Sequence, residues 1–178
     1  IICCDGAVNQ LLDSGLEPDT IIGDLDSIDD SLKNKYRNKT FHFPDQDEND
    51  LQKAIRWAEG KNIKEATILG ATGKRDDHSL ANIFTLLQFP TALHCTLITN
   101  HGCFSIAKGK EEFQSFNGQQ VSLFSASSEI EITSTNLKYN LISTKLDNLY
   151  CASLNESKSE VFTLRILHGN ILVYQVFA

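Results

Sequence analysis

Residues 20–27 read TIIGDLDS, a short apolar run that stops at Gly23 and then presents Asp24, Asp26 and Ser27. Two carboxylates at i and i+2, just beyond a strand, can converge on one hard, oxygen-seeking cation. Taken alone, the same spacing is equally a solvated Asp/Ser turn. Acidic and polar groups recur, however, in the same kind of place: Asp5 after the apolar stretch 1–4, Asp45, Gln46, Asp47 and Asp50 after 41–43, and Arg75, Asp76, Asp77 and His78 after 66–69.

The elements that must position these groups can be read from periodicity. Residues 1–4 form a buried strand, and Asp5-Gly6 opens a helix with Val8, Leu11 and Leu12 on one face and Gly15 as its stop. A strand at 20–22, a polar helix at 28–37 and a brief strand at 41–43 follow. Leu51, Ala54, Ile55 and Ala58 fall at i, i+3, i+4 and i+7 of an amphipathic helix ended by Gly60, with Asp47 at the N-cap position and Asp50 three residues on. A strand at 66–69, a glycine-bearing turn, a helix with Leu80, Ile83, Phe84 and Leu87 on one face, and a strand at 93–99 complete the alternation. The turn's Gly73-Lys74 pair lacks Walker A spacing, yet Arg75 at a helix start can grip phosphate.

From about Phe104 the pattern changes. Helical periodicity gives way to strand-type stretches at 113–116, 120–124, 129–133, 161–167 and 171–176, with turns at Asn117-Gly118 and His168-Gly169-Asn170. This predicts a small antiparallel sandwich that shares part of its burial with a partner surface.

Alternating strands and helices predict a parallel sheet with right-handed crossovers, in which every strand-to-helix turn emerges at one edge. The four acidic turns are therefore expected to share one crevice. Carboxylates crowded there repel one another unless a divalent metal or a cationic ligand is present. Magnesium with a nucleotide polyphosphate fits: oxygen ligands hold the metal, and Arg75 and helix N-termini take the remaining charge.

The bulk properties agree. The 178 residues are 41% hydrophobic and carry a net charge of −7, with the acids concentrated in the first 77 positions, which argues against a nucleic-acid surface. No apolar run approaches a membrane span and no signal peptide is evident, so a cytoplasmic address is expected. The five cysteines lack CxxC spacing and read as reduced rather than as zinc ligands or a disulfide framework. The chain lacks methionine and starts inside an apolar strand, which points either to an N-terminal segment beyond this sequence or to methionine positions missing from it.

In order, the segments CDGAVNQL, PDTIIGDLDSI, PDQDENDLQKA and GATGKRDDHSLANI resemble the thiamine pyrophosphokinase family, whose DGAxN, GDxDS, DQDxxD and RxDH elements they match. STNLKYNL resembles the family's GLKxxL stretch, with Asn136 where glycine is usual, and SLNES resembles a segment near its end. The resemblance spans nearly the whole chain. It implies an α/β, Rossmann-like domain at 1–106 with its first strand missing, a C-terminal β-sandwich at 107–178 for thiamine binding and dimerisation, and a homodimer with sites at the interface. The implied reaction is Mg2+-dependent transfer of pyrophosphate from ATP to thiamine. Metal and phosphate roles are implied for Asp24 and Asp26, and nucleotide-side roles for Asp5, Ser27, Arg75, Asp77 and His78. Gln46 and Asp50 are placed beside thiamine, with Asp50 as the candidate base. Tyr139 is placed as a ring stacking on thiamine, and Thr133, Ser134 and Asn155 as weaker substrate contacts. From the residues alone Tyr139 is equally sandwich core. Two other functions fit the same acidic edge: a metal-dependent phosphohydrolase, and a non-catalytic module binding thiamine or nucleotide.

Overall fold

The computed structural model describes residues 1–149 and 151–178 and divides into two compact units. Residues 1–64 and 91–93 form the first. Its strands β1 (Ile2–Cys4), β2 (Thr20–Gly23) and β3 (Thr40–His42) make a parallel sheet in that order, with Ile2 opposite Thr20 and Ile21 opposite Thr40. Between them run a short 3-10 turn at Asp5–Ala7, α1 (Val8–Asp13) and α2 (Asp30–Lys35). β2 is buried along its whole length, as expected of a parallel strand covered on both faces. Cys3, Val8, Ile21, Ile28 and Tyr36 form its core, joined by the half-buried face of α1, Leu11 and Leu12.

The helix α3 (Asp50–Gly60) packs against β1 and β2, burying Ile55 and Ala58 of the expected stripe. Its cap is not Asp47. Asn49 accepts from the Gln52 N–H at 2.9 Å while the Gln52 side chain accepts from the Asn49 N–H at 2.8 Å, a reciprocal capping box two residues later than expected. Asp47 instead lies in a local turn in which its N–H donates to the Asp45 carboxylate at 2.9 Å. At the far end, Glu59 accepts from the Thr91 hydroxyl and the Ala92 N–H, and so ties residues 91–93 to this unit.

The second unit comprises residues 65–90 and 94–178. It contains β4 (Glu65–Ile68), α4 (Asp76–Gln88), β5 (His94–Ile98), β6 (Gly102–Ala107), β7 (Lys110–Gln114), β8 (Gln120–Ser125), β9 (Glu131–Thr135), β10 (Thr144–Lys145), β11 (Ala152–Glu156), β12 (Val161–Ile166) and β13 (Ile171–Val176). One sheet has the order β11-β8-β13-β6-β5-β4, and the other β10-β9-β12-β7. Strict alternation along β8, β9 and β12 puts Val121, Leu123, Ile132, Phe162 and Leu164 into the core between the two sheets, where Phe113 stacks on Phe162 with centroids 5.0 Å apart.

The chain thus has the expected parallel α/β beginning and antiparallel end, with one refinement. β4 and β5 pair in parallel, as expected, but β5 continues antiparallel into β6, so this pair is hydrogen-bonded to the larger sheet of the second unit. Local apolar runs do not encode which edge a strand joins.

Candidate functional site

The turns after β1, β2 and β3 leave the same edge of a parallel sheet, and there the structure gathers three carboxylates. Oxygen atoms of Asp5, Asp24 and Asp26 all lie within 4.8 Å of one another. Asp5 is the buried member, 2% exposed, and its two oxygens are held separately: Oδ1 accepts from the Gly6 N–H and Oδ2 from the Leu25 N–H, both at 2.7 Å. Burial, followed by the nearby Asp50 charge, raises its pKa, and the two N–H bonds only partly offset this.

The glycine that ends β2 has a steric reason. A Cβ on Gly23 would lie 2.5 Å from the Asp5 carboxyl carbon, so any side chain there would evict the carboxylate. Two residues on, Leu25 takes a left-handed conformation (φ 66°), costly for a branched side chain. That bend aims the Leu25 N–H at Asp5 and lets Asp24 and Asp26 face the same cluster. Strain at such a position is characteristic of functional turns.

Two other sequence-derived residues of this unit, Gln46 and Ser27, bond to the cluster. Gln46 Nε2 donates to Asp24 Oδ2 at 3.0 Å, and this bond, with the Asp26 N–H on Oδ1, holds the Asp24 carboxyl below its ordinary pKa. Ser27 Oγ donates to Asp26 at 2.7 Å. Asp50, at the first position of α3, pairs with the Lys53 ammonium at 3.4 Å. The Cys4 thiol is pushed up to about 12 by burial and then by Asp50, which makes it inert at neutral pH. Lys53 was not singled out by sequence. A lysine in an amphipathic helix reads as solvated, yet this one is 5% exposed.

In the second unit, Arg75 ends the turn after β4. It forms a two-point pair with Asp77, Nε to Oδ1 at 3.1 Å and a terminal nitrogen to Oδ2 at 2.5 Å, and the pair takes the Asp77 carboxyl down to about 2. His78 follows in the exposed first turn of α4. Arg75 is therefore oriented by its own helix.

The sandwich residues divide into presenters and supporters. Tyr139 is 63% exposed and is not core. Asn155, 3% exposed, holds it from below: its Oδ1 accepts from the Tyr139 N–H at 3.0 Å and its Nδ2 donates to the Tyr139 carbonyl at 2.8 Å. Ser134 and Thr133 serve the same loop, accepting from the N–H groups of Leu141 and Ser143 at 2.9 and 3.0 Å. Asn136 has φ 62°, the glycine-like conformation that Asn tolerates best among residues with a side chain. Its departure from the family's glycine is therefore conservative in backbone terms. Asn155→Ala is expected to lower stability by about 2 kcal/mol, because three backbone and side-chain bonds end on that buried amide, and thermal unfolding would measure it.

The model of the thiamin pyrophosphokinase catalytic domain matches residues 1–98, and that of the thiamin pyrophosphokinase substrate-binding domain matches residues 102–174. A thiamin pyrophosphokinase of Caenorhabditis elegans is 36% identical over 97 residues, covering 49% of this chain and 40% of that protein. The Bacillus subtilis thiamine pyrophosphokinase is 32% identical over 151 residues, covering 77% of this chain and 68% of its own length. A crystal structure of the B. subtilis enzyme superposes with a TM-score of 0.79 at 26% identity, covering 98% of this chain and 86% of that one. Two domain models in tandem and a fold shared almost end to end place the chain in the thiamin pyrophosphokinase family of enzymes.

Proposed function

We propose that this chain transfers the pyrophosphoryl group of ATP to the primary hydroxyl of thiamine, giving thiamine diphosphate and AMP. The observation that carries the reading is the Asp5, Asp24 and Asp26 cluster on the edge of a catalytic-domain match. Three carboxylates of which one is buried with a raised pKa form an all-oxygen donor set short of positive charge, which suits Mg2+. Asp5, Asp24 and Asp26 would hold the ion. Bound there, it would neutralise polyphosphate charge as the transfer proceeds.

The chain's own residues do the rest. The thiamine oxygen forms a bond to the β-phosphorus, the bridge to the α-phosphate breaks with its oxygen leaving on AMP, and the hydroxyl proton passes to Asp50. Asp50 starts α3 and is held by Lys53, so its carboxylate is anchored while 37% of the side chain stays open to substrate. Gln46 positions Asp24, and Ser27 positions Asp26. Arg75, aligned by Asp77 and followed by His78, presents its guanidinium toward ATP phosphates. Thiamine is a cation, and Tyr139 offers it an exposed ring, with the Thr133, Ser134 and Asn155 bonds supporting that loop.

The proposed division of roles is catalysis in 1–106 and thiamine binding and dimerisation in 107–178. The exposed apolar side chains Tyr139, Ile142 and Leu154 support a homodimer whose sites lie at the interface. Five free cysteines suit the reducing cytoplasm, and among the described residues no helix is long and apolar enough to cross a membrane.

The decisive experiment is AMP formation from ATP and Mg2+ with and without thiamine. Thiamine-dependent AMP together with thiamine diphosphate is expected. Thiamine-independent phosphate release would indicate a phosphohydrolase, and binding without cleavage a non-catalytic module. Tyr139→Ala is expected to weaken thiamine binding at least tenfold while leaving ATP binding within twofold. Equal losses for both ligands, measured calorimetrically, would refute the stacking role.

A further inference from the structure

A buried lysine inside an acidic site has a specific consequence for how that site takes up metal. Lys53 lies one turn along α3 from Asp50 and is 5% exposed, so its ammonium is withdrawn from solvent at the expense of hydration. Its side-chain pairing is the 3.4 Å contact with Asp50 Oδ1, one bond of the three an ammonium can donate. The helix that carries it packs against β1 and β2, the strands that lead into Asp5 and Asp24, and the lysine charge is a minor lowering influence on the Asp24 carboxyl and the Cys4 thiol. Asp50 in turn acts on Asp5. Lys53 is therefore a buried cation near four carboxylates, Asp50 and the three clustered ones, Asp5, Asp24 and Asp26.

We propose that Lys53 is the internal counter-ion of this site, a positioning residue that anchors Asp50 and offsets the charge of the Asp5, Asp24 and Asp26 cluster. The free protein then holds a divalent cation weakly, and the ion arrives with a polyphosphate whose negative charge outweighs the lysine. The logic is electrostatic. A fixed positive charge beside a carboxylate group opposes a second cation, and a polyanion entering with that cation reverses the balance. Without Lys53 the cluster would be a stronger site for a bare ion, and the enzyme would sequester metal instead of taking it up with nucleotide. The inference rests on the metal role proposed above for the cluster.

The test uses Mn2+ as a spectroscopic stand-in, titrated into the full chain without nucleotide and followed by electron paramagnetic resonance. Lys53→Met is expected to tighten Mn2+ binding about tenfold, the scale of one unit charge acting on a divalent ion in a partly solvated site. Lys53→Gln should do the same and serves if the methionine variant does not fold. Lys53→Arg keeps the charge and should stay within threefold of the unaltered chain, a rescue that a purely structural role for Lys53 would not produce. Affinities within twofold for Lys53→Gln and the unaltered chain, or no Mn2+ binding by either, would overturn the proposal. Thiamine-dependent AMP formation is scored on the unaltered chain, so failure of the kinase reading would be seen separately from failure of the counter-ion role.

Discussion

Asp24→Asn is expected to abolish pyrophosphoryl transfer, lowering kcat on the order of 10^3-fold, with the fold intact. Asp24 is the half-buried member of the cluster, between buried Asp5 and exposed Asp26, and its partners are the Gln46 amide and the Asp26 N–H. An asparagine keeps one acceptor, its carbonyl oxygen, for the Asp26 N–H, and the exposed Gln46 amide can turn over to present its own oxygen to the new NH2, so the turn has no reason to collapse. What is lost is the negative charge and one anionic ligand atom of three. Circular dichroism and thermal unfolding should match the unaltered chain while AMP formation disappears. Retained activity with ordinary Mg2+ dependence would show that Asp24 is not a ligand.

Gly23→Ala should be nearly as damaging, for a steric reason. The added methyl would sit 2.5 Å from the Asp5 carboxyl carbon and 2.7 Å from both its oxygens, well inside contact distance. Asp5 must leave, and the Gly6 and Leu25 N–H groups lose their acceptor. Leaving these donors unsatisfied should reduce stability by about 2 kcal/mol, and displacement of a carboxylate at the reacting centre should lower kcat at least about 100-fold. The double variant Gly23→Ala/Asp5→Ala checks the cause: with the carboxylate gone the methyl has room while the Gly6 and Leu25 N–H groups still lack their acceptor, so its stability and activity should match those of Asp5→Ala alone. A single variant with unchanged melting temperature and kcat would show that the crowding relaxes elsewhere.

The legibility of this chain varied with the range of the interactions involved. The β1 to β3 alternation and the stripe of α3 depend on residues a few positions apart, and the structure keeps them. Placing the turns after β1, β2 and β3 on one edge needed only the parallel order of those strands, whereas the fourth turn, at 75–78, follows β4 in the larger sheet of the second unit, a change of sheet that the alternation does not encode. The cap of α3 was misread because aspartate and asparagine are nearly equivalent N-caps, and Gln52, which completes the box from Asn49, lies inside the helix. β10 has two residues, and β11 carries a register shift with Leu154 at φ 56°, so neither shows a strand's alternation. Lys53 was illegible for a different reason: its helix is packed against β1 and β2, about 30 or more positions earlier in the chain, and no local pattern distinguishes a solvated lysine from one that acidic neighbours draw inward.

The order β11-β8-β13-β6-β5-β4 also has a consequence for biogenesis. Of the strands described, β13 is the last to leave the ribosome, yet it is inserted between β8 and β6. While translation continues, both of those neighbours present unpaired backbone edges, the geometry most open to association with other chains. The sheet of β1, β2 and β3, by contrast, has all its strands within the first 42 residues. Removing residues 171–176 would therefore open the larger sheet at its middle, so a nascent chain halted short of them exposes two sticky seams that β13 would seal.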